Sequence, residues 1–282
     1  MARPIIEPVT EQNLPEFAEF LYANLSKDRS PAEWQQALRV GWDPERPNFG
    51  FLMRDEGRIA GGIGAIYAQR RVNGREERFC NITSWCVLDA YRKQSMRLAM
   101  AIVEQPGYHF TDFSPTEVVG GVLRFLKFKP IDERQTVILN LPRLLASGRV
   151  ITEAAKIEAT LQGDARQAYR DNAGFPWLTH LIVGSGTSWC HVIYKRWTFK
   201  GLPAARIIHV GDPEVFSRHV GRLTTHFLFN GIVSTHVDTR HLRCDVSPSR
   251  IRSGFNAKLY LSPSLQEPDI DYLYSETVAM NL

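Results

Sequence analysis

An Asn73-Gly74 dipeptide lies between two long segments with the pattern of β-strands, and it constrains the fold more than any other feature. Asn-Gly is the preferred central pair of a two-residue hairpin, because both positions there require positive φ angles. The strand patterns cover residues 58–72, which contain three glycines, and residues 77–88. The sequence therefore predicts a long antiparallel hairpin in the first half of the chain.

Three helix-start signals accompany this hairpin. Residues 13–16, 30–33 and 114–117 each place Asn or Ser three positions before a glutamate, with a proline in the first turn. This pattern is typical of a capping box, and apolar residues at helical spacing follow each one. With strands predicted at 4–9, 49–54, 108–113 and 136–141, the element order over residues 1–140 becomes β-αα-βββ-α-β-α-β.

The second half resumes this alternation after a charged helical segment. Strands are predicted at 178–183, 189–199, 204–210, 232–237 and 257–261, with a helix that starts at Asp212 and ends near Asn230. The tail beyond residue 265 has no assignable pattern. The two halves share an order of helix, strands, helix and strand, which favours an α/β chain built from two similar units.

Composition narrows the class of protein. Hydrophobic residues make up 44% of the 282 residues and charged residues 23%, as in globular proteins. The net charge of +4 does not require nucleic acid, and no apolar run reaches the ~20 residues that span a bilayer. The four cysteines lack Cys-x-x-Cys spacing, which is typical of reduced thiols in a cytoplasmic protein. We expect no metal, no nucleic-acid partner and no membrane partner.

Two segments carry a resemblance to a known family. Residues 87–98 place a strand, a basic turn and a helix in succession, and residues 123–128 end a helix on an aromatic residue. This layout resembles the GNAT superfamily of acyl-CoA-dependent N-acetyltransferases. In that family the turn has the form Arg/Gln-x-x-Gly-x-Gly/Ala; Arg92 fits the first position, and Ser95 and Arg97 occupy the positions of the small residues.

The resemblance implies a fold and a domain organisation. Residues 1–140 correspond to one GNAT-like unit, residues 141–176 to a helical connection, and residues 177–282 to a degenerate second unit. Each unit is expected to hold a mostly antiparallel mixed sheet flanked by helices, as in double-unit GNAT-like proteins.

The resemblance also implies a co-substrate, acetyl-CoA or another acyl-CoA. Its phosphates would lie at the start of the helix after the basic turn, since a helix N-terminus attracts anions and cations placed there oppose the helix dipole unless an anion binds. The expected binding residues are Val87, Leu88, Arg92, Lys93, Gln94, Ser95, Met96 and Arg97. The corresponding turn in the second half, residues 211–214, carries Asp, Pro and Glu and predicts only a capped helix start.

The catalytic candidates come from the strand after that helix. The tyrosine acid of the family is replaced by Leu123, and residues 78–87 contain no carboxylate that could act as a base. His109, Asp112 and Ser114 are the polar residues nearest in sequence to the expected gap between strands. The reacting centre is expected between residues 85–88 and 110–114.

These observations predict an N-acyltransferase that acts on the amine of a small-molecule acceptor. Two alternatives stay open. One is a GNAT-fold binding or partner module without catalysis, and the other is an acyltransferase that uses acyl-carrier protein. A homodimer is also left open.

Overall fold

The computed structural model describes residues 3–281 and divides the chain into two compact units. Unit 1 contains residues 3–131, 256–270 and 274–281, and unit 2 contains residues 132–255 and 271–273. Each unit contains one seven-stranded sheet. Among the described residues, no helix is long and apolar enough to cross a membrane.

Unit 1 is built on a mixed sheet in the order β1-β2-β3-β4-β5-β14-β6. Its strands are β1 (Ile5–Pro8), β2 (Gly50–Asp55), β3 (Arg58–Val72), β4 (Arg75–Val87), β5 (His109–Asp112), β6 (Lys129–Ile131) and β14 (Lys258–Leu261). The β3–β4 hairpin turns at Asn73 and Gly74, both with positive φ, as predicted. Only the β4–β5 pair is parallel.

The helices of unit 1 cover both faces of this sheet with separate apolar clusters. They are α1 (Leu14–Asn24), α2 (Pro31–Arg39), α3 (Met96–Val103), α4 (Glu117–Phe125) and α8 (Glu276–Ala279). Of the three predicted capping boxes, the one at Ser30 is confirmed, with both reciprocal hydrogen bonds formed. The other two are wrong: the Asn13 side chain accepts from Thr10 N, and α4 is capped by Thr116 instead of Ser114.

Unit 2 has the sheet order β13-β7-β12-β11-β10-β9-β8. Its elements are β7 (Gln135–Leu139), β8 (Arg149–Ile151), α5 (Ala154–Thr160), α6 (Gly163–Asn172), β9 (Thr179–Ser185), β10 (Ser188–Phe199), β11 (Leu202–Val210), α7 (Pro213–Phe229), β12 (Ser234–Asp238) and β13 (Ser249–Arg252). The parallel pair β11–β12 corresponds to β4–β5 of unit 1. The apolar face of α7 packs on this sheet.

The chain leaves unit 1 after β6 and returns to it after β13, so the sheet of unit 1 is completed by a strand that follows unit 2 in the sequence. After β6, the chain continues into β7, which pairs with β12 and β13 in unit 2. After β13, it continues into β14, which pairs with β5 and β6 in unit 1. The predicted boundaries at residues 140 and 176 differ from this division, because strand patterns along the chain do not reveal which sheet a strand joins.

Candidate active site

The parallel strands β4 and β5 of unit 1 are neighbours only at one end. They pair over three positions, from Phe79 opposite His109 to Asn81 opposite Thr111. Beyond these pairs β4 runs on to Val87, whereas β5 ends at Asp112. The predicted divergence of these two strands is therefore confirmed, and it leaves one edge of β4 open.

A β-bulge reshapes the open part of β4. Gly62 pairs with Cys86 and Gly64 with Thr83, so Ser84 and Trp85 together oppose a single residue of β3. Ser84 takes up the bulge with a φ of 51°. Bulges of this kind redirect backbone groups and are frequent beside active sites.

The backbone of Val87 faces this open edge. Leu88 N donates to Ala60 O at 2.9 Å, so Leu88 is bound to β3. Because N–H groups alternate between the two edges of an antiparallel strand, the Val87 N–H points to the opposite edge, away from β3. Of the expected binding residues Val87 and Leu88, Val87 therefore directs its N–H to the open edge and Leu88 does not.

A cleft of about 540 Å³ lies between the end of β4 and α4. Four of the eight expected binding residues line it, namely Val87, Leu88, Arg92 and Ser95. The remaining lining residues are Asn24, Trp85, Cys86, Asp89, Thr116, Val118, Val119 and Val122. The walls are mainly apolar and the basic side chain of Arg92 is at the margin, which suits a long ligand with an anionic end.

The basic turn itself differs from the expected arrangement. Residues Asp89–Gln94 form a 3₁₀ helix that runs directly into α3. At the junction of the two helices, Ser95 N donates to Arg92 O at 3.1 Å. In the first turn of α3, Leu98 N donates to Ser95 O at 3.0 Å. These two N–H groups are therefore engaged with the chain, where the resemblance implied donors free to bind phosphate.

The three basic side chains of the turn are not equivalent. Arg92 forms an exposed ion pair with Asp89 at 2.7 Å, and Lys93 is exposed. Arg97 turns away from the cleft and donates to Pro4 O at 2.8 Å, and burial lowers its pKa. Lys93, Gln94, Met96 and Arg97 do not line the cleft. Two exposed cations, Arg92 and Lys93, thus remain for an anionic ligand.

His109 lies apart from the other catalytic candidates. Its Nε2 is 2.9 Å from Glu77 Oε2, and its Nδ1 is 2.8 Å from Ser262 Oγ. It sits where β4 and β5 are still paired, opposite Phe79. Both ring nitrogens are engaged and buried, so the structure places His109 in the framework of the sheet.

Asp112 and Ser114 instead meet at the end of β5, together with a residue from the C-terminal segment, Glu276. Asp112 Oδ1 accepts from Ser114 N at 3.1 Å. Glu276 Oε1 accepts from Phe113 N at 2.8 Å and from Ser114 Oγ at 3.0 Å. Glu276 N in turn donates to Asn81 Oδ1 at 2.8 Å. A glutamate distant in sequence thereby ties β4 to the end of β5.

The two carboxyl groups in this cluster have raised pKa values. Burial raises the pKa of Asp112 well above its ordinary range, and the nearby Glu276 raises it further. Burial also raises the pKa of Glu276, against the hydrogen bonds that favour its charged form. Two buried carboxyls whose charges repel do not both ionise readily, so the charge of one raises the pKa of the other.

Sequence reasoning missed this segment. Glu276 begins α8, with Ser275 as its N-cap, and Met280 Sδ lies 3.4 Å from Thr83 Oγ1 beside the bulge. The local signal is one Ser-Glu pair in an otherwise patternless tail. Nothing in it indicates that the tail returns to β4.

The equivalent turn in unit 2 is a capped helix start, as predicted. Asp212 Oδ1 accepts from Glu214 N at 2.9 Å and from Val215 N at 3.0 Å. The carboxylate thus occupies the position that a phosphate would need. Among the described residues, no group of three His, Cys, Asp or Glu side chains is arranged to hold a metal ion.

The chain has two mixed sheets flanked by helices, each with one parallel pair, and it shares this fold with solved GCN5-related N-acetyltransferases. No protein-family model matches the sequence, and no curated protein matches it either.

Solved structures with this fold cover most of the chain. A GCN5-related N-acetyltransferase from Anabaena variabilis matches 92% of this chain and 72% of its own, with a TM-score of 0.61 and 12% identity. A probable N-acyltransferase from Enterococcus faecalis gives the same coverage and TM-score at 10% identity. Eis1 from Mycobacterium abscessus matches 91% of this chain and 72% of its own, with a TM-score of 0.55 and 14% identity.

Proposed function

We propose that the chain is an acyl-CoA-dependent N-acyltransferase acting on the amine of a small molecule, with the co-substrate, acetyl-CoA or another acyl-CoA, in the cleft of unit 1. The observation that carries this proposal is the open edge of β4, where the Val87 N–H is directed away from β3 beside a cleft of about 540 Å³. The fold shared with N-acetyltransferases supports the same assignment.

The residues of this cleft match the needs of acyl transfer. The Val87 N–H would donate to the thioester oxygen as charge develops on it. Arg92 and Lys93 would bind the phosphates, with Arg92 exchanging Asp89 for the ligand. As the C–N bond forms and the C–S bond breaks, the amine gives up a proton and the thiolate gains one.

Asp112 and Ser114 are the proposed groups for this proton transfer. The raised pKa of Asp112 makes it a stronger base than an ordinary aspartate. Neither residue lines the cleft, so the proton would pass through water. His109, although expected at this stage, is held by Glu77 and Ser262.

Calorimetric titration with coenzyme A tests the binding step. Replacing Arg92 and Lys93 with glutamate should weaken binding by about 1–3 kcal/mol, which is roughly 5- to 150-fold. Arg75→Glu is the matched control, because Arg75 is exposed at the opposite end of β4. Equal weakening in both variants would contradict the assigned site.

Thiol release from acetyl-CoA with a panel of amines tests the chemistry. Asp112→Ala or Ser114→Ala should lower turnover ~10²-fold while leaving coenzyme A affinity nearly unchanged. Unchanged turnover in both variants would place the chemistry elsewhere.

A second candidate, a binding module without catalysis, is favoured by one observation. Ser95 N and Leu98 N are engaged within the turn, where the family leaves donors for the pyrophosphate. Tight coenzyme A binding without thiol release in the unmodified protein would select this alternative.

A further inference from the structure

Unit 2 presents two adjacent leucines to solvent. Leu144 is 84% exposed and Leu145 is 100% exposed. The segment that carries them is held in place, since Arg143 N donates to Thr225 Oγ1 at 2.9 Å and Arg222 Nη2 donates to Ala146 O at 2.7 Å. The leucines therefore protrude from an anchored loop and bury nothing within their own unit.

A basic cavity adjoins this loop. It has a volume of about 370 Å³ and begins at Gly148, three residues after Leu145. Arg149, Arg222 and His226 supply its polar lining, and Phe229, which is 75% exposed, adds an aromatic wall. No carboxylate lines this cavity.

The charge around the cavity is one-sided over a long stretch of sequence. Arg218, Arg222 and His226 follow one another at four-residue intervals on α7 and so share a face. No Asp or Glu occurs at positions 134–152 or 215–237. Burial and then the charge of Arg196 lower the pKa of His226. Glu214 precedes Arg218 by one turn on the same face, so the cations that have no carboxylate beside them in the cavity lining are Arg149 and Arg222. The surface thus combines protruding apolar side chains with these two cations.

We propose that this surface docks on an anionic phospholipid membrane, with Leu144 and Leu145 entering the interface and a lipid phosphate occupying the cavity beside Arg149. Exposed leucines next to cations are the features that bind proteins to anionic bilayers. A second copy of the chain fits less well, because a symmetric contact would bring the same cations face to face. The contact is peripheral and involves no membrane-spanning helix. It departs from the prediction, made from the sequence, that the protein has no membrane partner.

Flotation with vesicles tests this proposal. We expect the intact protein to bind vesicles of phosphatidylcholine mixed with phosphatidylglycerol, and to bind pure phosphatidylcholine at least ~10-fold less. The double variant Leu144→Ser/Leu145→Ser and the double variant Arg149→Glu/Arg218→Glu should each weaken binding at least ~10-fold. High salt should abolish the vesicle binding that remains in the leucine variant, because that binding is electrostatic. It should not abolish the binding of the unmodified protein.

Matched controls come from unit 1. Phe125→Ser removes another exposed apolar side chain, and Arg75→Glu reverses another exposed cation. Both should bind like the unmodified protein, and the melting temperature of the leucine variant should be unchanged because both side chains are already exposed.

Several results would overturn the proposal. These are absence of binding to the anionic vesicles, equal binding by the test and control variants, and complete displacement from vesicles by glycerol phosphate, which would indicate a site for a free phosphate ester. Loss of a dimer in the leucine variant without loss of vesicle binding would assign the leucines to a contact between copies.

Discussion

Replacing Glu276 with glutamine and with alanine separates the shape of this side chain from its charge. Glu276 Oε1 accepts from Phe113 N and Ser114 Oγ, while Oε2 is buried and has no hydrogen-bond partner among the described residues. A charged carboxylate with an unpartnered buried oxygen is costly, so burial raises the pKa of Glu276 and favours its protonated form, although the two hydrogen bonds to Oε1 act in the opposite direction. Glutamine reproduces that form, keeping an oxygen for the two donors.

The expected energies follow from the two hydrogen bonds. Glu276→Ala leaves the buried Phe113 N–H unsatisfied, whereas the hydroxyl of the exposed Ser114 can bind water, so we expect a loss of about 1–3 kcal/mol in the free energy of unfolding. Glu276→Gln should cost about 1 kcal/mol or less near neutral pH. The difference between the two variants measures the hydrogen bonds without the charge.

Urea denaturation of the intact protein between pH 5 and pH 8 provides the assay. Because the pKa values of Asp112 and Glu276 are raised by folding, the folded unit binds more protons than the unfolded chain. Their contribution to stability is present below the unfolded pKa of about 4 and is lost as pH rises through the folded pKa. Glu276→Gln should weaken this part of the pH dependence. A glutamine variant as unstable as the alanine variant at pH 7 would show that Glu276 is ionised and would refute the reasoning.

Two further predictions concern backbone strain and acid stability. Gly50 has a φ of +122°, and a Cβ at this position would overlap Ile63 O. Gly50→Ala should therefore lower the free energy of unfolding by more than about 2 kcal/mol in the same denaturation assay. An unchanged midpoint would contradict this backbone conformation at the start of β2. In unit 2 burial lowers the pKa of His180 to about 4, of His191 to about 2 and of His236 to about 4, so the unfolded chain binds more protons below pH 6.5. The free energy of unfolding should therefore fall from pH 6.5 towards pH 4, by up to about 1.4 kcal/mol per pH unit for each histidine. A denaturation midpoint that stays constant or rises on acidification would contradict this prediction.

The hairpins and longer helices were predictable because their signals are local. Asn73-Gly74 fixes the β3–β4 turn by the φ angles that it tolerates, and Ser30 finds its capping partner three residues away. The short strands β6, β8 and β13 were missed, since three or four residues carry no measurable period, whereas the equally short β1, β5 and β14 lie within longer strand patterns. These strands depend on neighbours that the sheet supplies.

The location of the candidate site at the ends of β4 and β5 stays a prediction, and the contacts of its side chains could not be predicted from the sequence. The divergence of β4 and β5 followed from element order, and Val87 followed from the resemblance. Ser114 shows why the rest did not: its sequence context is that of a helix cap, yet its hydroxyl donates to Glu276, 162 residues further along the chain. A serine hydroxyl can form a hydrogen bond with a nearby backbone group or with a residue distant in sequence. Here Ser114 binds the distant Glu276 and does not cap the following helix.

The return of β14 to the sheet of unit 1 also sets the order in which the protein can fold during synthesis. When residues 1–131 have left the ribosome, β5 and β6 still lack the strand that lies between them. That strand ends at Leu261, and at typical rates of synthesis it arrives on the order of ten seconds later. During this interval the nascent chain exposes an unpaired edge on β5, which is a template for wrong pairing. The first unit to be made is therefore completed only after most of the second has emerged.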